Sequence, residues 1–340
     1  MNKIQKILKL RVGIVLIATP ILVFLASLCI GRYPMSLQTV IAILVSKVFS
    51  THNNFPSMLD TVIFQVRLPR VAAGALVGAS LALSGTSFQG LFRNPLVSAQ
   101  ILGVAAGAGF GAAIAILLSA EPLLVQTSAF AFGIMAVGLA YLISRTYKSP
   151  SSLTLVLAGI IVGALFSALT SLIKYIADPY ERLPSIVFWL MGGLSMVSID
   201  DVLWMLPPTL FGITVLTLIR WRINVLSMGE DEALALGVNV ERYRLIIVTC
   251  STLMTAAAVS ISGIVGWVGL VIPHIGRMLV GPDHKVLVPA SIAIGATYLM
   301  LVDDLARTLT ASEVPLGILT AIVGAPFFAY LLRRKAVGWR

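Results

Sequence analysis

The residues best placed to do chemistry here are acids and arginines, and neither group is arranged for catalysis. Glu230, Asp231 and Glu232 are consecutive within Leu226-Ser-Met-Gly-Glu-Asp-Glu-Ala-Leu-Ala-Leu-Gly-Val-Asn239. Ser227 and Glu230 have the spacing of a capping box, the acids suit the positive end of a helix dipole, and Gly237 is a natural stop. The spacing predicts a short, bounded helix over 227–237, with Asn239 capping the helix that follows. Such a helix, carrying Ser227, Gly229, Glu230, Asp231, Glu232, Ala233, Leu236 and Gly237, suits docking of a partner that delivers force. The competing reading is a helix lying on lipid, which three consecutive acids oppose beside an anionic leaflet.

The second group is Arg67-Leu-Pro-Arg70, joined by Arg307 one turn after Asp303. Pro69 suits a first helical turn. Two readings are open for these arginines: anchors that snorkel to the membrane surface, or exposed forks that face outward and steer an acidic docking protein.

Other chemistry lacks its residues. His52, His274 and His284 have no metal-ligand or triad spacing, and Cys29 and Cys250 sit in separate apolar stretches without a C-x-x-C. No G-x-x-x-x-G-K-[ST] phosphate loop occurs, so ATP hydrolysis by that route belongs to a separate protein. The acids avoid the centres of the apolar runs, which disfavours an ion-coupled carrier, and an intramembrane enzyme lacks its nucleophile and base.

The elements that must position these groups are membrane spans. The 340 residues are 58% hydrophobic and 11% charged, with a mean hydropathy of +0.99, a composition that a soluble fold could not bury. The net charge of +10 is not a nucleic-acid footprint, because the basic residues fall mostly at span ends. Apolar runs place ten spans near 12–31, 68–88, 98–118, 123–143, 153–175, 200–219, 245–266, 268–281, 286–306 and 314–332. The eighth is short, so it is either partly re-entrant or shielded by neighbours.

With the amino terminus in the cytoplasm, 17 of the 24 Lys and Arg residues fall on the inner side, which fits an even span number and both termini inside. The basic start followed by an apolar run to Ile30 mimics a secretory signal, but Leu28 is poor for cleavage and the run reads as an uncleaved first span. Gly74/Gly78, Gly103/Gly107/Gly111 and Gly159/Gly163 permit close helix approach. The outer connection 32–67 reads as a loop at Thr51-His-Asn-Asn-Phe-Pro56 with a short helix over 36–49. The chain is thus expected to be an all-α polytopic membrane protein, one transmembrane domain over 1–340 with a cytoplasmic loop at about 220–244.

At these segments the chain resembles the FecCD-type, or type II, permeases of binding-protein-dependent ABC importers for iron chelates, haem and vitamin B12. The likeness rests on Arg67-Leu-Pro-Arg70, Gly85-Thr-Ser-Phe-Gln89 with Arg93-Asn-Pro-Leu96, Leu102-Gly-Val-Ala-Ala-Gly-Ala108, the 226–237 loop, Gly266-Trp-Val-Gly-Leu-Val-Ile-Pro-His-Ile-Gly-Arg277, and Val314-Pro-Leu-Gly-Ile-Leu-Thr-Ala-Ile-Val-Gly-Ala-Pro326.

The resemblance implies a ten-span permease in the inner membrane, paired with a second copy or a close homologue around a central path. It implies no cofactor on this chain: ATP and Mg belong to two cytosolic ABC ATPases that bind the 227–237 loop. A periplasmic or lipid-anchored binding protein delivers substrate, and Arg67, Arg70 and Arg307 correspond to arginines that meet its acids. The inner gate corresponds to Asn94, Pro95 and Leu96, and transport proceeds by alternating access along a path lined loosely by spans two to five. Val97-Ser-Ala-Gln100 and Trp267 depart from the commoner pattern. Iron–siderophore is the expected substrate, followed by haem or cobalamin, then molybdate or tungstate; the Leu183-Pro-Ser-Ile-Val-Phe-Trp-Leu-Met-Gly192 segment and the Trp267 region resemble the molybdate and tungstate subset.

Overall fold

A computed structural model of the chain describes residues 3–49, 56–145 and 152–333, and these are helical with no strand. The predicted loop at 51–55 and the cations Lys148, Arg334, Lys335 and Arg340 lie outside the described residues. In order the helices are α1 (Lys3–Cys29), α2 (Leu37–Phe49), α3 (Ser57–Thr61), α4 (Leu68–Phe92), α5 (Val104–Leu118), α6 (Pro122–Arg145), α7 (Ser152–Ile176), α8 (Arg182–Met191), α9 (Ile199–Leu218), α10 (Arg220–Met228), α11 (Glu230–Ala235), α12 (Val240–Ser262), α13 (Val268–Val280), α14 (His284–Thr308) and α15 (Leu316–Arg333).

Each of the ten expected spans falls on a helix, and α2 matches the short helix expected over 36–49. Six helical stretches among the described residues are long and apolar enough to cross a bilayer: Ser57–Phe92, Pro122–Arg145, Ser152–Ile176, Ile199–Leu218, Val240–Ser262 and His284–Thr308. The apolar parts of α1, α5, α13 and α15 are shorter. Helix α8 was not among the expected elements; its ten residues are too few to stand out as a span.

The second span is longer than its apolar run. Helix α3, a π-helical turn over Val62–Arg67 and α4 form one stretch of 36 residues, so Pro69 does not begin the helix as expected. Proline has no N–H to donate and its ring crowds the preceding turn, and a widened π turn immediately before it relieves both problems.

Helix α4 is the axle of the bundle. It is buried along almost its whole length, against α9, α12, α13 and α14. Small residues make this possible, because lipid supplies no hydrophobic drive between helices and close backbone contact must take its place. A Cβ at Gly78 would stand 2.1 Å from the Gly295 carbonyl oxygen, and one at Gly85 would stand 1.9 Å from that of Gly269. Gly107 and Gly111 meet the carbonyls of Phe132 and Ser128 on α6 in the same way.

The short eighth span, α13, begins inside the bundle. Residues 263–267 are non-helical, and the turn lies beside Gly85 and Gln89 rather than beside Arg70 at the far end of α4. Irregular backbone at membrane depth needs protein partners for its polar groups. Gln100 Nε2 donates to Val265 O at 3.1 Å, Gln89 Nε2 to Gly269 O at 3.2 Å, and Gly193 N to Ser262 O at 2.8 Å. Trp267, at φ +66°, packs over Gly324 of α15 with its ring 6.0 Å from that of Phe328.

Candidate functional site

The fold gathers the acidic segment, the expected gate and the start of α14 at one end of the bundle. Helix α9 runs through Ile219 into α10, Gly229 breaks the chain, α11 follows, and Gly237 at φ +74° with Asn239 turns it into α12. Asn239 caps α12 as expected, its Oδ1 accepting from Arg242 N at 2.9 Å.

The expected capping box is corrected. Ser227 lies within α10 and its Oγ donates to Asn224 O at 2.7 Å, so it caps nothing. Burial of Ile223 and Leu226 keeps the preceding turn helical, and the break falls on Gly229 at φ +155°, ψ +161°, a region open essentially to glycine alone. The Glu232 carboxylate folds back over this position, where a Cβ would lie 1.8 Å from Oε2.

The acids therefore divide. Glu230 Oε1 accepts from Arg244 Nη2 of α12 at 2.5 Å and from Ser152 Oγ of α7 at 2.9 Å, fastening α11 to two long helices. Ala233 and Val238 are buried beneath, whereas Asp231, Leu234 and Leu236 are exposed. The outward surface is thus a carboxylate beside two apolar knobs, a mixture that fits a protein partner better than water alone.

The preceding helix is held equally firmly. Asn224 Nδ2 donates to Asp283 Oδ1 at 2.5 Å and Asn224 Oδ1 accepts from His284 N at 2.7 Å, tying α10 to the start of α14. The bond from Asn224 Nδ2, foremost, holds the Asp283 carboxyl below the usual carboxylate range. Because Glu230 is half exposed, its ion pair contributes about 1 kcal/mol after solvent screening. Glu230→Ala is expected to speed amide exchange across 233–238 about fivefold without altering α4 or α14, as hydrogen-exchange mass spectrometry would read.

Asn94, Pro95 and Leu96 form the turn after α4. Arg93 ends the helix at φ +50°, and Asn94 Oδ1 accepts from Leu96 N at 3.0 Å in an Asx turn. Arg93 Nη1 reaches Met228 O at 3.4 Å, so the expected gate and the acidic segment are in contact.

At the opposite end the structure corrects the picture of three outward-facing arginines. Arg67, Arg70 and Arg307 are 4%, 5% and 5% exposed. Arg70 forks Asp303 through Nε and Nη2 at 2.8–3.0 Å and reaches Glu313 through Nη1 at 2.8 Å. Arg307 Nη2 binds Asp304 and donates to Ser27 O at 2.6 Å, while Ser27 Oγ donates to Asp304 Oδ2 at 2.6 Å. Arg67 donates to the carbonyls of Leu28, Cys29 and Tyr33. Two guanidiniums, Arg70 and Arg307, thus face the three carboxylates and Arg67 is held by carbonyls, so that three buried cations are balanced by Asp303, Asp304 and Glu313. A long-range steering field does not arise from such a neutral cluster.

One opening remains in it. A cleft of about 440 Å³ is lined by Gly31, Arg32, Arg307 and residues 308–311. Arg32 is exposed there and donates to Ala311 O. The Asp303/Arg307 spacing was visible in sequence as a helical i,i+4 pair; the Arg307–Asp304, Glu313–Arg70 and Asn224–Asp283 links were not part of that reading.

Known proteins share this architecture. The FecCD transport family matches residues 18–334. The chain is 45% identical over 312 residues to the molybdate import system permease protein MolB of Haemophilus influenzae, covering 92% of each. It is 41% identical over 283 residues to a probable iron chelatin transport system permease protein of Helicobacter pylori, covering 83% of this chain and 86% of that one. It is 35% identical over 338 residues to the hemin transport system permease protein HmuU of Yersinia pestis, covering 96% of each. A solved structure described as an inward-facing metal-chelate type ABC transporter superposes with a TM-score of 0.86 at 42% identity, covering 95% of this chain and 99% of that one.

Proposed function

With the chain belonging to the FecCD transport family of ABC importer permeases and sharing their type II fold, we propose that it pairs with a second permease to carry a metal-containing anion through the inner membrane. Both termini lie in the cytoplasm in this reading, the end bearing α10 and α11 faces the cytosol, and two ATPase subunits dock on it. The observation that carries the reading is α11 itself: a short helix pinned by Glu230 to α7 and α12, presenting Asp231, Leu234 and Leu236 outward. A pinned helix transmits displacement to the long helices on either side, and the Arg93–Met228 contact carries it to the turn at Asn94, Pro95 and Leu96.

The docking surface is testable apart from transport. Asp231→Lys combined with Leu236→Asp is expected to weaken capture of the purified ATPase subunits at least tenfold, about 1.4 kcal/mol or more, with the permease melting as before. Unchanged affinity would remove α11 from the interface.

For cargo we place molybdate or tungstate first. Likeness to MolB extends over 92% of both chains, and Trp267 together with the 183–192 segment points the same way. A ferric chelate is the second reading, supported by the iron chelatin relative. Proteoliposomes holding permease, ATPases and binding protein should accumulate radiolabelled molybdate; ATP-driven uptake of ferric siderophore, haem or cobalamin alone would reverse the order. The delivering protein meets the outer face at the Arg32–Arg307 cleft, where an acid can reach the exposed Arg32 while Arg67, Arg70 and Arg307 stay engaged within the chain.

A further inference from the structure

One cavity lies away from the coupling segment, the gate turn and the arginine cluster. About 770 Å³ in volume, it opens between α6, α9 and α12 and is lined mainly by apolar groups, among them Phe130, Leu203, Trp204 and Ala257. Its polar residues are graded along the bundle axis. Asp200 and Gln126 lie in the first turns of α9 and α6, and Ser260 in the last turn of α12, so all three stand toward one end of the bundle. Phe130, Pro208 and Ala257 lie deeper.

Two features make this more than a packing gap. Gln126 is 8% exposed, lines the cavity, and makes no hydrogen bond through its side-chain amide to any described residue. In addition, Pro207 and Pro208 interrupt α9. Lacking N–H groups, they leave the carbonyls of Leu203 and Trp204 without their i→i−4 donors, and those two residues line the cavity. An apolar cavity therefore carries two backbone carbonyls that lack helical donors, a buried amide and, toward its polar end, the exposed Asp200 carboxylate. The amide and the carboxylate are met by a cationic, hydrogen-bond-donating head, and the apolar walls by a hydrocarbon tail.

We propose that this cavity is a binding site for one aminophospholipid, phosphatidylethanolamine, its ammonium beside Asp200 and Gln126 and an acyl chain running down past Trp204 to Phe130. A choline head fits the same role less well, because its quaternary nitrogen donates no N–H to the Gln126 amide oxygen or the Asp200 carboxylate. The volume is in the range of specific small-molecule pockets, roughly 300–1,000 Å³. The position gives the lipid a consequence: α9 leads into α10 and α12 follows α11, so the site lies between the two helices that carry the acidic segment. The inference needs only that the chain spans a membrane and does not depend on what it transports.

The experiment is native mass spectrometry of the purified permease released from nanodiscs of equal phosphatidylethanolamine and phosphatidylcholine content. The wild-type chain is expected to retain one phosphatidylethanolamine at least fivefold over phosphatidylcholine. Asp200→Asn should erase the preference while tail-held lipid persists, and Leu203→Trp, at an exposed position, should fill the cavity and abolish retention. Ile261→Trp fills the same space from α12 and serves if the first filled variant misfolds. Equal retention of the two lipids by the wild type, or undiminished retention in a folded, filled variant, would overturn the assignment.

Discussion

Asp303→Ala is expected to cost about 3–5 kcal/mol of stability, the range for removing one partner of a buried ion pair. Arg70 reaches Asp303 through three hydrogen bonds of 2.8–3.0 Å, and the two side chains are 6% and 3% exposed. Removing the carboxylate leaves the guanidinium in low dielectric with Glu313, whose side chain is 28% exposed and correspondingly weaker in hold. Arg307 also loses a carboxylate 3.9 Å from its Nε. The loss therefore spreads across α4 and α14. Thermal melting in detergent, followed by tryptophan fluorescence, should show the drop. Combining Asp303→Ala with Arg70→Leu should recover much of it, because the expense lies in the stranded charge rather than in a missing attraction. A single variant within 0.5 kcal/mol of wild type would mean that water reaches this cluster freely.

Gly78→Leu should be at least as damaging. The new Cβ would begin 2.1 Å from a backbone oxygen of α14, and 2.9 Å from Leu299 Cβ, so no side-chain rotation relieves it. The two helices must separate or slide. Overpacking of a close-packed core typically costs about 1–3 kcal/mol and occasionally more, and an obstacle made of the α14 backbone, which no rotamer change can move, puts this site at or above the upper figure. Loss of monodisperse protein on gel filtration is the expected outcome. Gly138→Leu is the control, because a Cβ there meets nothing within 4 Å. Equal behaviour of the two would remove the α4–α14 contact from its central place.

The clearest lesson about reading this chain comes from its acidic segment. The helix stop at Gly237 and the cap at Asn239 were legible because both are local: a residue's own φ and its own side chain decide them. Ser227 and Glu230 also had the right local spacing, and yet no capping box forms. Burial of Ile223 and Leu226 against the bundle extends α10 past the expected start, and Arg244 and Ser152 claim the Glu230 carboxylate. Tertiary competition won over a local motif.

The arginines teach the same thing with opposite sign. Sequence spacing paired Asp303 with Arg307, an interaction within one helix that survives at 3.9 Å. It did not reveal that Asp303 belongs chiefly to Arg70, 233 residues away, or that the cluster is buried and balanced by Asp304 and Glu313.

By itself the sequence determined that this protein is a bundle of apolar helices in lipid. It also determined where those helices run and which connection carries an acidic helix. Hydropathy and span length are sums over neighbours in the chain, and the bilayer reads them without reference to any fold. Only the tertiary structure decided which charges face a partner and which face one another, where α13 turns inside the bundle, and that α9 and α12 part to leave a cavity. Each of these depends on which distant backbone stands at a given carbonyl or guanidinium, and the energy of a buried polar group is set by the partner it meets.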